Sequence, residues 1–113
     1  MSDNEIEYVY IGEVMVDSGI LMVGDPCYVQ DFKDTGDETK TETPNSEGDF
    51  SYSYRGAFSA SLSGPIGGGM LDRGRAIATS TERGDGYYSV YHIVENGRPV
   101  ALHVDLARDA EAR

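Results

Sequence analysis

Cysteine occurs once in this chain, at Cys27, so an internal disulfide and a multi-cysteine zinc site are both excluded. Basic residues are scarce: nine Lys+Arg stand against 20 Asp+Glu, a formal net charge of −11. Gripping a nucleic-acid backbone takes Lys and Arg to displace the counterions on phosphates, so free DNA or RNA is not an expected ligand. No apolar run approaches the roughly 18–20 residues of a membrane-spanning helix, and Met1 to Glu7 is acidic where a signal peptide would be basic. A cytoplasmic setting with no membrane partner is therefore expected. Bulky apolar residues are limited too; within 113 residues that are 39% hydrophobic, three Phe and eight Tyr supply most of the volume. The length predicts a single domain over residues 1–113, and one so small buries only roughly 60–70% of the surface of its unfolded chain.

What is present is unevenly placed. Residues 1–50 hold thirteen acids and two lysines, whereas residues 51–113 hold seven acids and seven arginines, so the whole net charge lies in the first part. Between Phe32 and Phe50 there is no strongly apolar side chain. Such a stretch cannot bury enough surface to offset its ordering entropy, and residues 33–49 are expected to form a mobile acidic loop, either a solvated insertion or an acidic interaction surface. Asp31-Phe32-Lys33-Asp34 puts Lys where a calcium loop needs an oxygen ligand, so that motif is absent, although Asp34, Gly36 and Asp37 could hold a cation weakly.

The fold class predicted is all-β, a small antiparallel sandwich or half-open barrel with one short helix or helical turn. Ile6–Val16 is rich in β-branched and aromatic residues, and Ile20–Val23 is short and continuously apolar; the turn signal Asp17-Ser18-Gly19 between them predicts a hairpin. Asp25-Pro26 supplies an N-cap carboxylate and a residue suited to a first helical position, giving a helical turn from Pro26 to about Asp31. Phe50, Tyr52 and Tyr54 alternate with small or polar residues and read as a strand that continues through Phe58–Leu62. Gly64 to Gly69 reads as a loop and Arg75–Ser80 as a strand. Tyr87–Glu95, Asn96-Gly97 and Arg98–Leu106 read as a hairpin closed by a type I′ turn, with Glu95 opposite Arg98, Ile93 opposite Val100, Tyr91 opposite Leu102 and Ser89 opposite Val104. Residues 107–113 read as a polar tail.

In that register His92 and His103 share a face as diagonal neighbours, with Asp105 beyond, a spacing at which two imidazoles and a carboxylate can converge on a metal ion or form an oriented general base. The competing account is ordinary strand residues. Cys27 at the start of the helical turn is expected to be a small packed residue, since Asp25 opposes any dipole activation of its thiol. The glycine loops at Gly64–Gly69 and Gly84-Asp85-Gly86 match neither a P-loop nor a dinucleotide fingerprint. Arg55, Arg73, Arg75, Arg83 and Arg98 accompany them, and Arg73, Arg75 and Arg83 are candidates for binding a small anion through bidentate contacts; alternatively they pair with the acidic half.

Three segments, Asp17–Tyr28, Gly84–Tyr91 and Gly97–Leu106, together resemble an uncharacterised family of bacterial and phage proteins, domain of unknown function 4241. The likeness covers the two ends and leaves residues 29–80 unaligned. It implies that Asp25 and Asp85 are turn-makers of a shared fold and that a mobile-element origin, with binding to a host protein, is the expected biology.

The leading expectation of function is a non-catalytic acidic module, cofactor-free, that binds and inhibits a protein with a basic, nucleic-acid-handling surface. Asp34, Asp37, Glu38 and Glu42 would supply the charge, and Phe50, Tyr52 and Tyr54 the anchors. The alternatives are a small-anion or nucleotide binder at Arg73, Arg75 and Arg83, and a metal-dependent hydrolase at His92, His103 and Asp105.

Overall fold

A computed structural model describes residues 5–33, 40–81 and 83–109. Its strands are β1 (Ile6–Val16), β2 (Ile20–Gly24), β3 (Gly68–Leu71), β4 (Ala76–Ser80), β5 (Gly86–Glu95) and β6 (Arg98–Asp109), with a helix α1 (Tyr54–Ser61) and 3₁₀ turns at Pro26–Asp31 and Asp72–Gly74. The fold is mainly β, as the strand patterning predicts, with two three-stranded antiparallel sheets ordered β1-β5-β6 and β2-β4-β3 and, among the described residues, no closed barrel. Contacts divide the chain into two compact units, Met1–Ser18 with Glu82–Arg113, and Gly19–Thr81. In sequence, the second of these units lies between the two stretches that make up the first. No helix among the described residues is long and apolar enough to cross a membrane.

The first unit is the sheet β1-β5-β6. Asp17-Ser18-Gly19 does not close a hairpin: β1 pairs with β5 and β2 with β4, because each finds a longer or better-matched apolar partner elsewhere. The turn at Asn96-Gly97 forms as expected, with both residues at positive φ (54° and 80°), the geometry that matches the twist of the flanking strands. Glu95 faces Arg98 as predicted, but the register then slips. Val94 pairs with Pro99 and Ile93 with Ala101, leaving Val100 as an extra residue. Proline has no N–H to give to a ladder and is tolerated in strands at bulges, which is the physical reason for the slip. Tyr91 therefore faces His103 and His92 faces Leu102. A second irregularity falls between Val90, opposite Val104, and Tyr88, opposite Asp109. β6 runs through Asp109, so residues 107–109 of the expected tail belong to the sheet, and 110–113 lie outside the described residues.

The second unit packs α1 on the sheet β2-β4-β3. Where alternation predicts a strand through Phe58–Leu62, the chain forms a helix. Ser53 is its N-cap, its Oγ accepting the Gly56 N–H at 2.9 Å. The buried face of α1 is made of small residues, Gly56, Ala57, Ser59, Ala60 and Ser61, which let its backbone lie close to β3 and β4. Gly69, in the β3 that stands where a loop was expected, has room for no more: a Cβ there would sit 3.2 Å from the Phe50 ring and 3.3 Å from Ala60 Cβ. The core is Phe50, Tyr52, Ala57, Ala60, Leu71, Ala76 and Ala78, with Phe32 edge-on to Tyr52 at 5.2 Å between centroids. Burying each large side chain of this set stabilises the unit by about 1.5–3 kcal/mol.

Candidate functional site

The 19–81 unit carries a cleft of about 930 Å³. Phe50 and Tyr52 form part of its floor, Asp31, Glu42, Asp49 and Asp72 its acidic wall, and Lys33 and Arg75 are its cations. Each wall residue is held by local chemistry. The Pro26–Asp31 turn is capped by Asp25, whose Oδ1 accepts the Cys27 N–H at 2.8 Å, and it ends at Asp31 on the rim. Cys27 is exposed, which corrects its expected packing under the turn. Lys33 is tied to the helix entry: its N–H donates to Tyr52 O at 3.2 Å and its carbonyl accepts from Tyr54 N–H at 2.9 Å.

Residues 40–49, expected to be part of a mobile loop, are strapped to α1. Arg55 donates twice to the Thr41 carbonyl, at 3.2 and 2.9 Å, and the Glu42 N–H donates to Ser59 Oγ at 2.8 Å. Polar side chains satisfy this segment's backbone, so it needs little apolar burial to stay ordered. Within the cleft lining the two Glu42 oxygens accept the Ser51 N–H at 2.6 Å and the Ser51 hydroxyl at 2.8 Å. Ser51 Oγ also lies 2.7 Å from Ser53 Oγ, linking the carboxylate to the cap of α1.

The same acidic lining includes strained backbone. Asp72 and Arg73 both have positive φ, 41° and 58°, rare for residues with a Cβ. The buried Asp49 holds them, Oδ2 accepting the Arg73 N–H at 2.7 Å. Arg75 lies between Asp31 and Asp72, 3.5 Å from each, with its guanidinium 4.9 Å above the Tyr28 ring. Arg73 Nε donates to Asp72 at 3.1 Å. The anions that Arg73 and Arg75 face are thus the chain's own carboxylates. Arg83 belongs to the other unit, so the three arginines expected to share a ligand are not brought together within one unit.

Other expected site residues are placed as follows. Phe50 and Tyr52 are buried core, not exposed anchors, and Tyr54 is half-buried at the start of α1. Glu42 is half-buried and hydrogen-bonded within the cleft. Asp34, Asp37 and Glu38 lie outside the described residues. The bulge at Val100 sends His92 and His103 to opposite faces of the sheet, since a one-residue slip reverses every side chain beyond it. Asp105 turns to its own strand, accepting the Ala107 N–H at 3.2 Å. The proposed His92–His103–Asp105 metal site is therefore not assembled, and among the described residues no group of three His, Cys, Asp or Glu could hold a metal.

Sequence reasoning missed the exposed aromatic group of the first unit. Tyr8 and Tyr10 flank Tyr91 edge-on at 6.2 and 5.7 Å, and His103 lies 5.5 Å from Tyr8. The alternation Tyr8-Val9-Tyr10 carried the signal for two of these on one face; the slipped register hid the other pair.

Comparisons with the profiles of known protein families, with curated proteins and with solved structures find no match. The chemistry of the cleft is therefore read from its own residues.

Proposed function

We propose that this chain is a non-catalytic interaction module whose acidic cleft receives Lys or Arg side chains from a basic protein surface, one of the kind that handles nucleic acid, and so occludes it. The observation that carries this reading is the lining of the cleft: four carboxylates against two cations, with Arg75 already shared between Asp31 and Asp72. A carboxylate has about four acceptor positions, so Asp31 and Glu42 keep capacity after their internal bonds. The phenyl and phenol rings of the floor offer a low-dielectric base on which such hydrogen bonds strengthen. Long-range attraction from a chain of net charge −11 would raise the encounter rate with a basic partner by about 10-fold or more at low salt. An anionic ligand is less well served, because the cations of the cleft are outnumbered by its carboxylates.

The test uses a partner recovered by pull-down from the native host and identified by mass spectrometry. Its association rate should fall steeply as salt rises and should fall again with Asp31→Lys. Asp31 is an exposed rim residue whose ion pair contributes little to stability, so the variant should fold as the parent does. A rate indifferent to both ionic strength and Asp31→Lys would refute the reading.

A further inference from the structure

The acidic cleft holds a cation of its own in surroundings that suit one kind of cation. Arg75 reaches between the 3₁₀ turns Pro26–Asp31 and Asp72–Gly74, with Nη1 3.5 Å from Asp31 Oδ2 and Nε 3.5 Å from Asp72 Oδ2. Its guanidinium carbon lies 4.9 Å from the centroid of the Tyr28 ring. Two carboxylates that meet different nitrogens of one planar fork, over an aromatic face, select a guanidinium. A lysine presents one compact, strongly hydrated nitrogen and cannot serve both acids from above the ring.

Arg75 fills this place imperfectly. Charge-assisted hydrogen bonds close to about 2.7–2.9 Å, and both of its carboxylate contacts stop at 3.5 Å. Its backbone is fixed where the chain enters β4: the Arg75 N–H donates to the Leu71 and Asp72 carbonyls at 3.0 and 3.2 Å, and Ala76 pairs with both Gly24 and Leu71. The side chain therefore approaches the acids from a set direction. An arginine arriving from solvent carries no such tether and can close on both. The place is open to it, since the Asp31 side chain is 63% exposed and Tyr28 37%. Displacing Arg75 costs little, because ion pairs so exposed contribute little to stability.

On the reading that the cleft receives basic side chains, we propose that Tyr28, Asp31 and Asp72 form a guanidinium seat, that Arg75 occupies it in the free chain as a self-ligand, and that an arginine of the partner displaces Arg75 to dock. Lysines of the partner meet only the negative field of the cleft. An arginine gains the ring and two short charge-assisted bonds as well, so the seat makes the cleft selective for arginine.

Arginine-rich and lysine-rich peptides of equal length and charge, titrated into the full chain by calorimetry at low salt, test this through the ratio of their affinities. Arg75→Gln vacates the seat and should raise the arginine-to-lysine ratio by about 10-fold, with the Tyr28 ring resonances shifting as the arginine peptide binds. Lys33→Gln removes the same charge from the same cleft without touching the seat. It should tighten both peptides by roughly 2–5-fold and leave the ratio unchanged. Arg75→Lys keeps the charge but gives up the fork, so the ratio should rise in the same direction, and this variant carries the test if circular dichroism shows Arg75→Gln unfolded. Three results overturn the seat while leaving an acidic cleft that binds basic peptides: an equal rise in ratio with Lys33→Gln, an unchanged ratio in both Arg75 variants, or a gain with no response at Tyr28. Binding of neither peptide by parent or variants overturns the broader reading, and the seat with it.

Discussion

Replacing Gly56 by alanine is the sharpest test of how the cleft is built. In an exposed helix the change stabilises by about 0.5–1 kcal/mol, because glycine loses more backbone freedom on folding. Gly56 lies in the first turn of α1, buried, with its pro-Cβ position 1.9 Å from the Ser51 carbonyl oxygen and 2.7 Å from its carbon. Ordinary contact begins near 3.4 Å, so the Ser51 backbone would have to retreat by about 1.5 Å. That retreat pulls on the Ser51 N–H and hydroxyl bonds to Glu42 and on the Ser53 cap. Overpacking costs about 1–3 kcal/mol and a lost hydrogen bond to a charged group about 1.5–3 kcal/mol. After the propensity gain, a net destabilisation of about 3 kcal/mol is expected, a large share of the roughly 5–15 kcal/mol that small domains possess. Urea unfolding followed by circular dichroism measures it as a lower midpoint for the transition of the 19–81 unit. An unchanged or raised midpoint would show that the 51–56 turn is not packed as described.

Glu42→Ala removes both acceptors of Ser51 and should destabilise the same unit by about 2 kcal/mol, read from the same urea curves. Ser89→Ala should be neutral or stabilising by about 1 kcal/mol in a thermal melt, because the buried Ser89 Oγ has no hydrogen-bond partner among the described residues. Zinc added to the purified protein should not raise its melting temperature, since the bulge at Val100 separates His92 from His103; a saturable rise would mean that they share a face.

Much of the fold is legible from local chemistry. The Asn96-Gly97 turn, the Asp25-Pro26 cap and the β-branched run of Ile6–Val16 each specify their conformation over a few residues, and each forms. The long-range pairings are not legible in the same way. The turn signal Asp17-Ser18-Gly19 permits a hairpin, but β1 of eleven residues finds in the ten-residue β5 a partner of its own length. Register fails for a smaller cause: Pro99 displaces the ladder by one residue, and that single step separates the histidines. The helix α1 was hidden because the alternation of Phe50, Tyr52 and Tyr54 runs across its cap Ser53 into its first residue; beyond Tyr54 the small residues Gly56, Ala57 and Ala60 suit close helix packing better than a strand. Charge was legible as a total but not as a use. Asp49 and Glu42 look like free surface acids in the sequence, yet one secures a strained turn and the other a serine pair.

The account turns on whether the acidic cleft receives basic side chains. Backbone amide spectra recorded while a short arginine-rich peptide is titrated in at low salt measure this most directly. Shifts should concentrate on Asp31, Lys33, Glu42, Phe50 and Asp72, saturate, and weaken as salt is added. Saturable shifts confined to the β1-β5-β6 sheet, or none at any peptide concentration, would contradict it.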